Sequence, residues 1–160
     1  MSTINSINHT KYIIDTNTIA KFAYWLPLAM HSDFWNKMEN KLHNGEWVLL
    51  DCVVGEIKYF GHELNIWMKK QKNFVTKITQ KDFLKAAEIN NSYPMIEQST
   101  GRSTVDTYIV AHALNNGLGI LSQENSRRLG EKLYKIPDTC SLYNIPCIKR
   151  PDTFLKKINY

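Results

Sequence analysis

The chain has 160 residues, 43% hydrophobic and 22% charged, with a formal net charge of +5. That balance excludes a disordered polymer and favours one soluble domain with a real core. The positive charge suits an acidic partner such as nucleic acid, and equally an ordinary lysine-rich surface.

Met1 to Lys11 is polar and lacks the apolar core of a signal peptide. Tyr12-Ile13-Ile14 is a short apolar run that stops abruptly at Asp15-Thr16-Asn17, which predicts a buried parallel strand. A helix follows over Thr18 to Met30, capped by Asn17 or Thr18 and interrupted near Trp25 or Leu26 by Pro27. Phe34, Trp35, Met38 and Leu42 recur at helical spacing, and Asn44-Gly45 closes that helix. Trp47 to Leu50 predicts a second strand. Asp51 then caps a helix carrying Val53, Val54, Glu56, Ile57 and Phe60, and a longer helix, or a pair of helices, runs on through Ile66, Trp67 and Met68 to a basic end at Lys69, Lys70 and Lys72.

Phe74 to Ile78 reads as a connector, and Thr79 caps a helix to about Asn90 with Phe83, Ala86, Ala87 and Ile89 as its apolar face. Ser92 to Arg102 is a loop. Ser103 opens a helix with a stripe of Val105, Ile109, Val110, Ala113 and Leu114, ended by Asn116-Gly117. Leu118 to Ser122 predicts a third strand, Ser126 to Tyr134 a polar, basic loop, Thr139 to Tyr143 a short helix, Pro146 to Ile148 an edge strand, and Pro151 to Ile158 a last helix. Strands alternating with helices predict an α/β protein with a parallel sheet. Cys52, Cys140 and Cys147 are odd in number and have no CxxC spacing, which points to reduced thiols in the cytoplasm. No stretch reaches the roughly 20 apolar residues of a membrane span, so no membrane partner is expected.

Four acids fall where such a sheet would gather them. Asp15 ends the first strand, Glu56 lies in the helix entered from the second, Asp106 is in the first turn of the helix leading to the third, and Glu124 lies just past the third. Carboxylates held close repel one another unless a cation sits between them, and all-oxygen donors select Mg²⁺ or Mn²⁺. Such a site suits phosphodiester hydrolysis. Each acid also has a plainer role open to it. Asp15 could cap a helix, Glu56 could be a solvated helix residue, and Glu124 a loop residue. Asp106 completes a capping-box pattern with Ser103, and Asp138 follows Pro137 as a turn residue would. Arg127, Arg128, Lys132 and Lys135 lie near Glu124 in sequence and Arg102 precedes the Asp106 helix, so contact with phosphates is expected of some of them, with a solvated loop as the alternative. No GxGxxG follows the first strand, and Asn17 stands where a phosphatase built on Asp15 would need an acid.

Ile13-Ile14-Asp15-Thr16-Asn17, Val54-Gly55-Glu56-Ile57, Val105 to Ala113 and Ile120-Leu121-Ser122-Gln123-Glu124, in that order and spacing, resemble the PIN-domain nucleases. Within that superfamily the chain is most similar to small prokaryotic PIN-like proteins with a late Lys-Ile-Pro-Asp-x-Cys segment, here Lys135 to Cys140, followed by Pro146-Cys147. The resemblance runs from Tyr12 to about Phe154. It implies a single PIN-like domain over the 160 residues, with a three-layer α/β/α fold around a mostly parallel sheet of four or five strands. It also implies Mg²⁺- or Mn²⁺-dependent cleavage of single-stranded RNA, often as the toxin of a toxin–antitoxin pair, with a cognate antitoxin and a homodimer as partners. By the same resemblance Asp15, Glu56 and Asp106 would take the metal-ligand and catalytic roles, and Asn17 would support them by hydrogen bonding. Where many PIN domains carry Thr-x-Asp, this chain has Ser122-Gln123-Glu124, so Glu124 is the expected fourth acid, supported by Ser122, and Asp138 its rival.

Overall fold

The computed structural model describes residues 11–57 and 60–157. Tyr12–Ile14 forms β1, and Ile13 and Ile14 have no exposed surface, as a parallel strand covered on both faces requires. Helices α1 (Thr16–Trp25) and α2 (Ser32–His43) lead to β2 (Trp47–Val48). Then come α3 (Asp51–Ile57), α4 (His62–Lys70), α5 (Gln80–Ser92) and α6 (Thr104–Asn116), which leads into β3 (Gly119–Leu121). The chain ends with α7 (Ile136–Tyr143), β4 (Cys147–Ile148) and α8 (Pro151–Lys157).

The strands form one four-stranded sheet in the order β2-β1-β3-β4. All pairings are parallel, with Ile13 against Val48 on one side and Ile120 on the other, and Ile120 against Cys147. With helices packed on it, the sheet makes the expected α/β, three-layer architecture. Phe22, Phe34, Met38, Leu49, Leu50 and Ile57 are fully buried around it. Phe22 meets Phe34 edge-on at 5.5 Å between centroids. The indole of Trp35 donates to the Leu26 carbonyl at 2.7 Å, which fixes the bend that Pro27 imposes after α1.

The strand order places the site. From β1 the chain crosses to β2 on one side, and it later returns to β3 on the other side of β1. Between β1 and β3 the connections therefore diverge, and a crevice opens beyond their carboxyl ends, where ligands bind in open α/β sheets.

Several local expectations need correction. The α1 cap is Asp15 itself, whose carboxylate accepts from the Thr18 N–H at 2.8 Å, rather than Asn17 or Thr18. The capping box expected at Ser103 does not form, because Ser103 is in the left-handed region (φ 70°) and its side chain makes no capping bond. The cap expected at Thr79 does form, as a capping box at the start of α5 in which Thr79 and Asp82 bond each other's backbone N–H groups. The connector after Phe74 also adds sheet-like pairing, with Thr76 bridging Leu50 in parallel. Phe83 stands half exposed rather than in the core, its ring edge-on to Tyr108 at 5.2 Å. α7 begins at Ile136, three residues before the expected start, because Asp138 accepts from the Lys135 N–H at 2.9 Å and Pro137 suits a first turn. The expected polar start lies mostly outside the described residues, as does Ile158 of the last helix.

Candidate active site at the carboxyl ends of β1 and β3

Asp15 directly follows β1 and is 2% exposed. Its backbone N–H reaches the Leu121 carbonyl at 3.3 Å, tying it to β3. One carboxylate oxygen caps α1, and the other accepts from the Ser122 hydroxyl at 2.7 Å. Burial pushes the Asp15 carboxyl above the usual range, the bonds from Thr18 and Ser122 oppose that, and the Glu56 charge adds to it.

Glu56 sits in α3, and its Oε1 accepts from the Thr16 hydroxyl at 2.6 Å. Thr16 thus ties the second acid to the residue after the first. Asp106 lies in the first turn of α6. A helix that feeds a parallel strand runs back from the carboxyl edge of the sheet, so its N-terminus stands at that edge. Burial, then the charges of Glu124, Asp15 and Glu56, push the Asp106 carboxyl up to about 7. The Ser103 hydroxyl bonds it and offsets part of that rise.

Glu124 follows β3. Its N–H donates to Ser122 Oγ at 3.1 Å, and its Oε2 accepts from the Ile136 N–H at 3.1 Å. Its carboxyl is also raised, first by burial, with Asp15 adding to the rise and Lys135 opposing it. Asp138 has a different position: its Oδ2 accepts from the N–H groups of Lys135 and Arg127, both at 2.9 Å, at the start of α7. It stands close enough to Glu124 for their charges to interact, but it does not line the cleft.

The cleft has a volume of about 830 Å³. Glu56, Asp106 and Glu124 line it, together with Thr16 and Asn17, while Asp15 is buried behind them. Asn17 contributes its carbonyl, which accepts from Gln123 Nε2 at 3.2 Å. The side-chain hydrogen bonds to the acids come from Thr16, Ser122 and Ser103 rather than from Asn17. Among the expected basic residues, Arg102 and Lys135 line the cleft, and Lys132 joins them. Arg127 lies 3.9 Å over the Tyr134 ring and bonds the Glu131 carbonyl, and neither it nor Arg128 lines the cleft. Arg102 is presented by a tight loop in which Glu97 and Arg102 are joined through their backbones at 3.0 Å and the Glu97 carboxylate accepts from the Thr100 N–H at 2.9 Å.

Thr16 and Ser103 were not singled out in the sequence as partners of acids. Thr16 carried a signal in its place between Asp15 and Asn17. Ser103 carried one only as a cap, and its left-handed backbone is set by the turn after Gly101.

The chemistry of the donor set fits a hard divalent cation. It is all oxygen, drawn from four elements, and the repulsion among its charges adds to the burial that raises Asp106. Among the described residues, no three acidic, histidine or cysteine side chains already stand in ligating arrangement. A parallel α/β sheet with an acidic cleft at its switch point defines the class of protein. The sequence profile of one family, described as Domain of unknown function (DUF4411), matches residues 12–158, and the chain belongs to that family. No curated protein and no solved structure matches it. Among the described residues, no helix is long and apolar enough to cross a membrane.

Proposed function

We propose that this protein is a PIN-like, metal-dependent endoribonuclease acting on single-stranded RNA, and that it serves in the cytoplasm as the toxin of a toxin–antitoxin pair. The observation that carries the reading is the meeting of Asp15, Glu56, Asp106 and Glu124 at one switch point, close enough for their charges to shift one another. Structural acids have no reason to be brought together from four elements at such a cost. The basic side chains of Arg102, Lys132 and Lys135 beside them suit a phosphate backbone.

Asp15, Glu56, Asp106 and Glu124 would hold Mg²⁺ or Mn²⁺. When bound, the cation supplies Lewis-acid stabilisation of the charge that builds on the attacked phosphodiester. Asp15 is held rigid by Thr18 and Ser122, and Glu56 by Thr16. Glu124 is anchored through Oε2 to Ile136, which leaves Oε1 to orient the attacking water and take its proton. Lys132 and Arg102 orient the flanking phosphates. Cleavage leaves a 5′-phosphate and a 3′-hydroxyl.

The competing reading is a PIN-like module that binds nucleic acid or protein without cutting. The lack of a preformed ligating arrangement among the described residues favours it. Mn²⁺ titration with a single-stranded RNA cleavage assay separates the two. The nuclease reading expects a Mn²⁺ site that Asp15→Asn abolishes together with cleavage, whereas the module shows neither. A cognate antitoxin and a homodimer are part of the same proposal, and co-expression with the neighbouring open reading frame tests the first.

A further inference from the structure

Five aromatic side chains among the described residues stand exposed: Tyr24, Trp25, Phe60, Phe74 and Phe83. Four have partners. Lys21 lies over Tyr24 and Trp25 at 5.5 and 5.4 Å, Phe74 stacks on His43 at 3.7 Å, and Phe83 meets Tyr108. Phe60 is 48% exposed, and no ring or cation from the described residues covers it. It lines the acidic cleft.

Its placement is built into the backbone. The Phe60 N–H bonds the Ile57 carbonyl at 2.8 Å, so the turn that ends α3 fixes Phe60 relative to Glu56 one turn back. The chain then leaves through Gly61 at φ 126° and ψ 155°, a conformation essentially open to glycine alone. Of the two forms expected here, one longer helix or a pair, the chain adopts the pair, with α3 ending at Ile57 and α4 starting at His62, and the ring is left at the cleft instead of on a buried face.

We infer that Phe60 is a base-stacking platform for single-stranded RNA. One unpaired base lies on its ring, while the flanking phosphates lie against Arg102, Lys132 and Lys135. The inference rests on the nucleic-acid reading of the cleft and adds to it the residue that selects single strands. A base within a duplex already has both faces stacked and cannot use the ring, whereas every unpaired base can. A cleft of about 830 Å³ has room for such a base, since ligand clefts commonly span roughly 300–1,000 Å³.

The test is equilibrium binding of a labelled uridine hexamer and of an abasic hexamer of the same backbone, followed by fluorescence anisotropy in EDTA at low salt. Both probes meet the same carboxylate repulsion, so their affinity ratio isolates the base. Wild type is expected to prefer the uridine hexamer. Phe60→Ala should lose about 5- to 100-fold on that probe and nothing on the abasic one, and Phe60→Trp should keep the preference. The inference is overturned if Phe60→Ala binds both probes as wild type does, if it weakens both equally, or if wild type has no preference. Binding in EDTA does not depend on cleavage. A base preference lost in Phe60→Ala therefore supports the platform even if Asp15→Asn cuts RNA like wild type, a result that would sink the hydrolytic reading alone.

Discussion

Ser122 and Asp15 lie 107 residues apart in sequence, and a hydroxyl-to-carboxylate hydrogen bond of 2.7 Å joins them. The same Ser122 oxygen accepts from the Glu124 N–H at 3.1 Å. One side chain thus couples the first acid to the last across the β1–β3 switch point. Ser122→Ala removes a hydrogen bond to a buried carboxylate, worth about 1.5–3 kcal/mol. The Asp15 carboxyl should move further up, and Mn²⁺ affinity should fall by about 10-fold or more, read by isothermal titration calorimetry. Unchanged affinity would mean that Ser122 does not support the site.

The Asp106 carboxyl, at about 7, makes the metal-free protein pH-sensitive. The folded state holds this proton more firmly than the unfolded chain does. Between about pH 4 and 7 the folded state therefore binds more protons, and stability falls as pH rises through that window. From pH 5 to 7 the loss is on the order of 2 kcal/mol, or roughly 4–8 °C in Tm for a chain of this size. Thermal melts in EDTA should show this slope, Asp106→Asn should flatten it, and added Mn²⁺ should restore stability at pH 7.5.

Away from the cleft, Asp82 joins α5 to α6. Its carboxylate accepts from His112 Nδ1 and Asn115 Nδ2, each at 2.9 Å, besides closing the Thr79 capping box. Burial would raise its carboxyl, but the bonds from Asn115 and His112 win and hold it low. Asp82→Ala leaves the buried His112 ring and the half-buried Asn115 amide without this partner and should cost about 1–3 kcal/mol in urea unfolding. Mn²⁺ binding should be unaffected, because none of these residues lines the cleft.

Ser103 separates backbone from side chain. At φ 70° it occupies a region that glycine enters without steric cost. Ser103→Gly should therefore leave stability within about 1 kcal/mol of wild type, or raise it. It also removes the hydroxyl that bonds Asp106, so the pH-dependent melt should shift to higher pH. Ser103→Val, β-branched in the same region, should be clearly destabilised by circular dichroism melts.

The strands were legible because each is a short apolar run closed by polar residues, and Ile13, Ile14, Ile120 and Leu121 are all fully buried as such runs require. The switch point then follows from strand order, and it brings Asp15, Asp106 and Glu124 to one edge. Caps were less legible. Asp15, Asn17 and Thr18 all carry capping side chains, and only the packing of β1 against β3 decides that Asp15 turns one oxygen to Thr18 and the other to Ser122. Ser103 matched a capping box, but the reversal after Gly101 turned its backbone out of the capping conformation. That Glu124 lines the cleft and Asp138 does not was likewise hidden, since Asp138 turns its Oδ2 to two backbone N–H groups, those of Arg127 and Lys135. The basic residues divided for a similar reason, with Arg127 drawn onto Tyr134 by a ring contact that no spacing announces.

The most direct measurement is the rate at which wild type, Asp15→Asn and Asp106→Asn cleave a labelled single-stranded RNA in Mn²⁺, with circular dichroism confirming that each is folded. The nuclease reading predicts cleavage by wild type that EDTA abolishes, and a loss of about 100-fold or more in both variants. Cleavage at the wild-type rate in both folded variants, or none by wild type with Mn²⁺ present, would contradict it.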